Sequence, residues 1–474
     1  MRMRQVSSLF VALLVCGTGQ AADVDESAPG WCAAAAAPVQ SRATIFCSDV
    51  EAAALGRLNE LLDAMRLTFV QKRAQAEPWA RQYRDLKQRL NLLGDNDAPL
   101  PVVQRLVADG RFEEASALLE DTLNSRRLSR SQRSEYRFAV ARTLSLQFRQ
   151  SDALPYYAGA FRESPDTFAY AFSYAEALRE GHRDEEARAA YQHALATARR
   201  GAASEGSRSS NAEAMTLTSL ATLSRDGGRA AEAEQNYRRA LQIYHDLRDE
   251  RYTDKSGEVL NHLGVLYHMT EKIREAELAY QEALTVYRSL AQANAPAYLP
   301  DVAGILHNLT LLYRGAERRQ EAQWVARAEH DVYRGLVRDG YAAYIPELAD
   351  TLNSLGVLYH TSGRLLQAES AYRESVAFYR GIVQYDPAGC LEDLAGALNN
   401  LGVLYRDTQR MSEARRALRE AAQIRSDLAS RKPRLYTADL VQTLANLQKV
   451  YRQLGWTYEA GEIAERLEKL GVIP

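Results

Sequence analysis

Leu263-Gly264-Val265-Leu266-Tyr267 is the stretch on which the fold turns. The same five residues return at Leu355–Tyr359 and Leu401–Tyr405. Looser copies read Leu309-Thr310-Leu311-Leu312-Tyr313 and Leu447-Gln448-Lys449-Val450-Tyr451. Successive copies lie 46 residues apart, and nine residues after each tyrosine comes an alanine: Ala276, Ala322, Ala368, Ala414 and Ala460. Two anchors held in register over five copies define a repeat. A fixed period in this range marks stacked supersecondary units rather than one large core.

Working outward from these copies, the pattern loosens. Gly228–Ala233 leads into Tyr237 and Ala240, and His182–Ala187 into Tyr191 and Ala194. Before them, Ser151-Asp152-Ala153 precedes Tyr157, Ala160 and Pro165, and Gly110–Ala115 precedes Leu119. The spacing from Ala153 to Ala187 is 34, and later spacings are 46, 43 and again 46. Nine units fill about residues 98–474, short ones over 98–200 and lengthened ones over 211–474.

The residue types explain themselves. Leucines and aromatics at i, i+3, i+4 and i+7 give each helix one apolar stripe. A single hairpin cannot cover that stripe, so neighbours must stack. Gly264, Gly356 and Gly402, with the alanine series, fall where two helix backbones cross closely. Gly363-Arg364 supplies a turn tolerant of left-handed geometry. If helical, the twelve additional residues of a long unit add about 18 Å per hairpin. Tyr298-Leu299-Pro300-Asp301 and Tyr344-Ile345-Pro346-Glu347 are expected to mark the start of the next first helix, with proline in the first turn. In that register Cys390 replaces a tyrosine kept at 252 and 436, which predicts a buried, structural cysteine.

This pattern resembles the tetratricopeptide repeat family, a helix–turn–helix unit of 34 residues. Leu263, Gly264, Tyr267, Ala276, Tyr280 and Ala283 match its anchors, and Pro165 its closing proline. The long units are similar to the form found in kinesin light chains and many bacterial repeat proteins. Thr310, Gln448 and Glu329 depart from the pattern. The resemblance implies an all-α fold, a right-handed α-solenoid superhelix whose first helices line a concave groove that binds protein segments.

Composition narrows the function classes. The chain has 474 residues with 59 Lys+Arg against 61 Asp+Glu, so it carries no global basic field for nucleic acid. Four cysteines are too few for a disulfide-built scaffold. The start reads as an export signal over 1–21: Arg2 and Arg4, then the apolar Leu9–Val15, then Gly19-Gln20-Ala21 for cleavage after Ala21. The mature protein is then expected to be periplasmic or secreted, with no membrane span. An uncleaved anchor and a lipidated Cys16 are the alternatives. Residues 22–48 form a low-complexity leader in which Cys32 and Cys47 can close a disulfide, worth about 3 kcal/mol for a loop of that size. Residues 49–97, with Leu58, Leu61, Leu62, Met65 and Phe69 at helical spacing, are expected to cap the first unit or to form a homodimer contact. Gly201–Ser210 is the most flexible-looking internal stretch and an expected hinge.

No catalytic arrangement stands out. Phosphate loops, HExxH, paired CxxC and Gly-x-Ser-x-Gly are missing from the sequence, and the eight histidines are scattered, so no metal or cofactor is expected and enzymatic activity is the least favoured reading. The informative rows sit on the first helices. Five residues after each repeat leucine come His268, Arg314, His360, Arg406 and Arg452. Two residues before it come Asn261, His307, Asn353, Asn399 and Ala445. An asparagine row suits the backbone of an extended peptide, and arginine forks suit carboxylates. The expected function is a non-enzymatic exported adaptor that binds an extended or helical acidic segment. The alternative is a structural spacer in an envelope assembly acting through the N-terminal helices or the convex face.

Overall fold

A computed structural model describes residues 102–471, apart from 104, 107–110, 126–127, 148, 248–251 and 385–386. The signal-like 1–21, the leader with Cys16, Cys32 and Cys47, and the stretch 49–97 lie outside the described residues. Within them every regular element is helical and no strand occurs. The chain divides into two compact units, one ending at Ala322 and the other beginning at Gln323.

The first unit contains α1 (Phe112–Ser125), followed by the hairpins α2 (Arg130–Leu146) with α3 (Gln150–Glu163) and α4 (Phe168–Glu180) with α5 (Asp184–Glu205). Next come α6 (Ser207–Asp226) with α7 (Ala230–Leu247), α8 (Thr253–Met269) with α9 (Ile273–Ala293), and α10 (Ala295–Gly315). Helix α11 (Arg319–Arg338) carries the boundary. The second unit holds α12 (Ile345–Thr361) with α13 (Leu365–Val383), α14 (Pro387–Asp407) with α15 (Met411–Arg431), and α16 (Pro433–Gln453) with α17 (Thr457–Lys469). Within each unit, helices consecutive in sequence pack on one another, so each unit is a stack of helix hairpins. The added residues of the long repeats lengthen both helices. The pair α2 and α3 has 17 and 14 residues, whereas α14 and α15 have 21 each.

Steric necessity accounts for the small residues. Ala276, Ala322, Ala368 and Ala414 are completely buried and Ala460 nearly so. A Cβ on Gly264 would lie 2.5 Å from the Tyr280 ring, and one on Gly356 2.5 Å from Tyr372. One on Gly402 would lie 2.6 Å from Leu418 Cγ. Where the sequence places Thr310 and Gln448 in this register, the aromatic's register holds Ala326 and Ala464. Large and small have exchanged places. Tyr267, Tyr405 and Tyr451 are buried, while Tyr359 is half-buried.

The hairpin turns share one geometry. Lys272 N–H donates to the Tyr267 carbonyl at 2.8 Å and Glu271 N–H to that of His268 at 3.1 Å, which satisfies two orphan carbonyls of α8. The pattern needs a left-handed residue, and Glu271 takes φ 58° where the copy two units on has Gly363 at 73°.

Two expectations are corrected. Pro300 does not open its helix: α10 begins at Ala295 with Pro296 in the first turn, and Pro300 stands inside. Pro346 does open α12. The segment 201–210 is helix on both sides of a one-residue break at Gly206, where φ is 51°. Its Ser209 is buried and donates to the Ala198 carbonyl, which pins α6 to α5, so a glycine- and serine-rich composition here builds a tight corner.

A second register shows aromatic pairs closing the long hairpins: Tyr244 with Tyr252, Tyr287 with Tyr298 and Tyr333 with Tyr344, at centroid distances of 6.4, 6.3 and 6.1 Å. Next in register come Tyr379 and the buried Cys390, consistent with a structural cysteine. One unit further the tyrosine position is Arg425. This guanidinium is buried, with Nη2 donating to Glu392 Oε1 at 2.6 Å and Nη1 to Thr443 Oγ1 at 2.7 Å.

Candidate functional site: the first-helix face

Positions −2, +2 and +5 relative to the repeat leucine are i, i+4 and i+7 of one helix, and therefore share a face. Helices α8 and α10 present such a face in the first unit, and α12, α14 and α16 present one in the second. The asparagine row is not a set of open carboxamides. Asn308 Nδ2 donates to Asn261 Oδ1 at 3.0 Å, Asn400 to Asn353 at 3.0 Å, and Asn446 to Asn399 at 3.1 Å. Each bond joins one first helix to the next across 47 residues, from the −1 position to the −2 position of the preceding copy. The −1 asparagines were not among the expected site residues. Their signal was the doublet Asn399-Asn400, together with Asn308 and Asn446 in the same register. Asn399 is buried, and Asn261, His307 and Asn353 are half-buried. Asn308, which opens an Asn-Leu-Thr glycosylation pattern, is engaged in this helix-to-helix pair.

The basic row divides in two. Arg314 and Arg452 are exposed. His360 and Arg406 share a carboxylate: Asp407 Oδ2 lies 3.2 Å from His360 Nε2, and Asp407 Oδ1 accepts from Arg406 Nη2 at 2.8 Å. Arg406 Nη1 also reaches Asn446 Oδ1 at 3.4 Å. Asp407 thus offsets the charge of Arg406 and engages the His360 ring, and His268 is half-buried. Between the asparagine and basic rows runs an apolar one, Val265 and the exposed Leu311 in the first unit, Val357 and Val403 in the second. That row is the middle valine of the repeated pentapeptide, whose exposure no single-helix pattern reveals.

Recurring clamps hold neighbouring hairpins together behind this face. Tyr313 hydroxyl donates to Glu277 Oε1 at 2.8 Å, and Arg318 Nη1 donates to Glu277 Oε2 at 2.7 Å while its guanidinium lies 4.3 Å from the Tyr313 ring centroid. Burial, then the Glu277 carboxylate, push the Tyr313 hydroxyl pKa upward. The same trio recurs as Tyr267, Glu234 and Lys272, and as Tyr405, Glu369 and Arg410. In the copy around Tyr359, Gln323 stands for the acid and Arg327 donates to the tyrosine hydroxyl at 2.8 Å.

Among the described residues, no group of three or more His, Cys, Asp or Glu comes together as a metal site, and no helix is long and apolar enough to cross a membrane. Stacked helix hairpins with glycine–aromatic crossings define a helical-repeat protein. Profiles of the tetratricopeptide repeat match residues 212–289, 348–387 and 394–430. Those residues carry tetratricopeptide repeats, a unit of protein–protein interaction, and among the described residues the architecture is all-α. None of the curated proteins matches its sequence. Of the solved structures similar to it, the apo form of RapI shares 12% identity, with 83% of this chain and 97% of that one covered at a TM-score of 0.50, which supports the fold. A signal-transduction ATPase of the STAND class with a tetratricopeptide-repeat sensor, from Pyrococcus horikoshii, shares 13% over 82% of this chain and 53% of that one, with a TM-score of 0.49. BtubC (BKLC) from P. vanneervenii shares 21% over 61% and 94%, with a TM-score of 0.30.

Proposed function

We propose that the chain is an exported, non-enzymatic adaptor whose first-helix face takes an extended or helical, acidic segment of a protein partner. The observation that carries this reading is the occurrence of exposed cations and carboxamide pairs on the same first helices: Arg314 and Asn308 on α10 in the first unit, Arg452 and Asn446 on α16 in the second. The Asn308–Asn261 and Asn400–Asn353 pairs each use one donor and one acceptor and keep others for a guest, the complement of a peptide group, whereas Asn446 Oδ1 is taken by Arg406 and Asn399 is buried. The valine and leucine row gives that guest an apolar track. Arg406 contributes less, because Asp407 already engages it.

Capture of partners by the mature protein from its own envelope extract, read by mass spectrometry, tests the face. Replacing Arg314 and Arg452 together by Glu is expected to reduce recovery of acidic partners about tenfold. Undiminished recovery removes this face from the function. Export is tested separately. N-terminal sequencing of the protein from its native cell is expected to begin at Ala22, and a sequence starting at Met1 overturns the cleaved signal.

A further inference from the structure

A cavity of about 340 Å³ opens within the first unit between α4, α6 and α8, just before the asparagine rows begin. The volume is at the lower end of ligand pockets, enough for one side chain or a small molecule. Phe172, Met215 and Val259 give it apolar walls. Two carboxylates line it, and they are not equivalent. Glu176 is fully engaged: Oε1 accepts from the Tyr191 hydroxyl at 2.7 Å and from Ser219 at 2.7 Å, and Oε2 from Arg179 at 2.8 Å. Glu258 accepts from Lys255 at 3.0 Å through Oε2, but its Oε1 stands 3.9 Å from His262 Nε2, beyond hydrogen-bond reach. One anionic acceptor in this cavity therefore still has room for a donor. Burial works against its ionisation, yet His262 and Lys255 outweigh that and hold the carboxyl at about 2, so the group is charged at neutral pH.

We propose that this cavity is a specificity pocket for one basic side chain, lysine or arginine, of the segment bound along the first-helix face. The aliphatic stem lies on Phe172, Met215 and Val259, and the cationic head reaches Glu258 Oε1. Long basic side chains suit such a site because they combine an apolar stem with a charged tip. Arg179 and Lys255 also line the cavity but are already engaged by Glu176 and Glu258, so selectivity rests on Glu258 Oε1, and a purely apolar head would leave that oxygen without its donor. The pocket rests on the adaptor reading but is chemically separate from the exposed arginines.

The probe is N-acetyl-arginine amide, with N-acetyl-norleucine amide as its uncharged counterpart, titrated into the full chain and followed by saturation-transfer NMR. The arginine probe is expected to bind saturably and the norleucine probe at least tenfold more weakly. Glu258→Gln is expected to weaken the arginine probe about tenfold and to spare folding, since the side chain is partly exposed. Thr218→Phe, which fills the cavity from α6, is expected to abolish binding of both probes. Equal affinity for the two probes, or an arginine affinity unmoved by both variants, overturns the pocket. Arg314→Glu with Arg452→Glu leaves the arginine probe untouched, so a failed face with an intact pocket, or the reverse, is read directly.

Discussion

Replacing Arg425 by Ala is expected to cost about 3 kcal/mol of unfolding free energy, among the largest losses any single side chain in the second unit can produce. The guanidinium is buried, donates to Glu392 through two nitrogens at 2.6 and 3.0 Å, and spans α16 through Thr443 and the Asp439 carbonyl. Truncation leaves Glu392, whose carboxyl is already pushed upward by burial, without the cation that offsets it. Its folded pKa then rises further above the unfolded value, so the damage is greatest at neutral pH and shrinks as the pH falls and the carboxyl protonates. The register offers a control. In preceding units the place of Arg425 is filled by Tyr287, Tyr333 and Tyr379, so Arg425→Tyr combined with Glu392→Gln is expected to retain most of the stability. Urea titrations of the three proteins at pH 5 and pH 7 decide the matter. A pH-independent loss, or a double variant as weak as Arg425→Ala, would show that the ion pair does not set the energy.

Gly356→Thr is expected to lower stability by about 2–3 kcal/mol, because a Cβ there meets Tyr372 Cδ1 and Cε1 at 2.5 Å and both residues are buried at the helix crossing. The ring cannot swing away without leaving its own buried site, since Tyr372 is among the largest fully buried side chains. The chain itself suggests the remedy, for its Thr310 copy carries Ala326 in the tyrosine's register. Adding Tyr372→Ala is therefore expected to rescue part of the loss, although Tyr372→Ala alone is also costly. In a double-mutant cycle the two substitutions should couple by about 1–3 kcal/mol, with the double variant more stable than their sum. Strict additivity would mean that glycine at 356 answers to something other than the facing ring.

The repeat was legible because steric anchors leave a trace in one dimension: glycine or alanine wherever two backbones meet, tyrosine wherever a ring fills the gap beside them. The lengthening of both helices followed from the same period. Helix starts were less legible. Proline is compatible with any position in the first turn, and with Pro296 present the chain can enter α10 early and carry Pro300 inside. The corner at Gly206 misled in the other direction, since glycine and serine serve a tight helix-to-helix junction as readily as a loose linker. The polar rows were half visible. Asn261, Asn353 and Asn399 stood out in register, but their partners sit 47 residues away and one position out of step, a relation that only stacking creates. Asp407 was missed for a similar reason. It is the residue after Arg406 and acts on His360 of the previous hairpin.

The asparagine pairs also bear on mechanics. Each one pegs a first helix to its predecessor, so the rods are fastened at intervals along the stack, and flexing it within either unit must stretch a peg as well as slide apolar surfaces past one another.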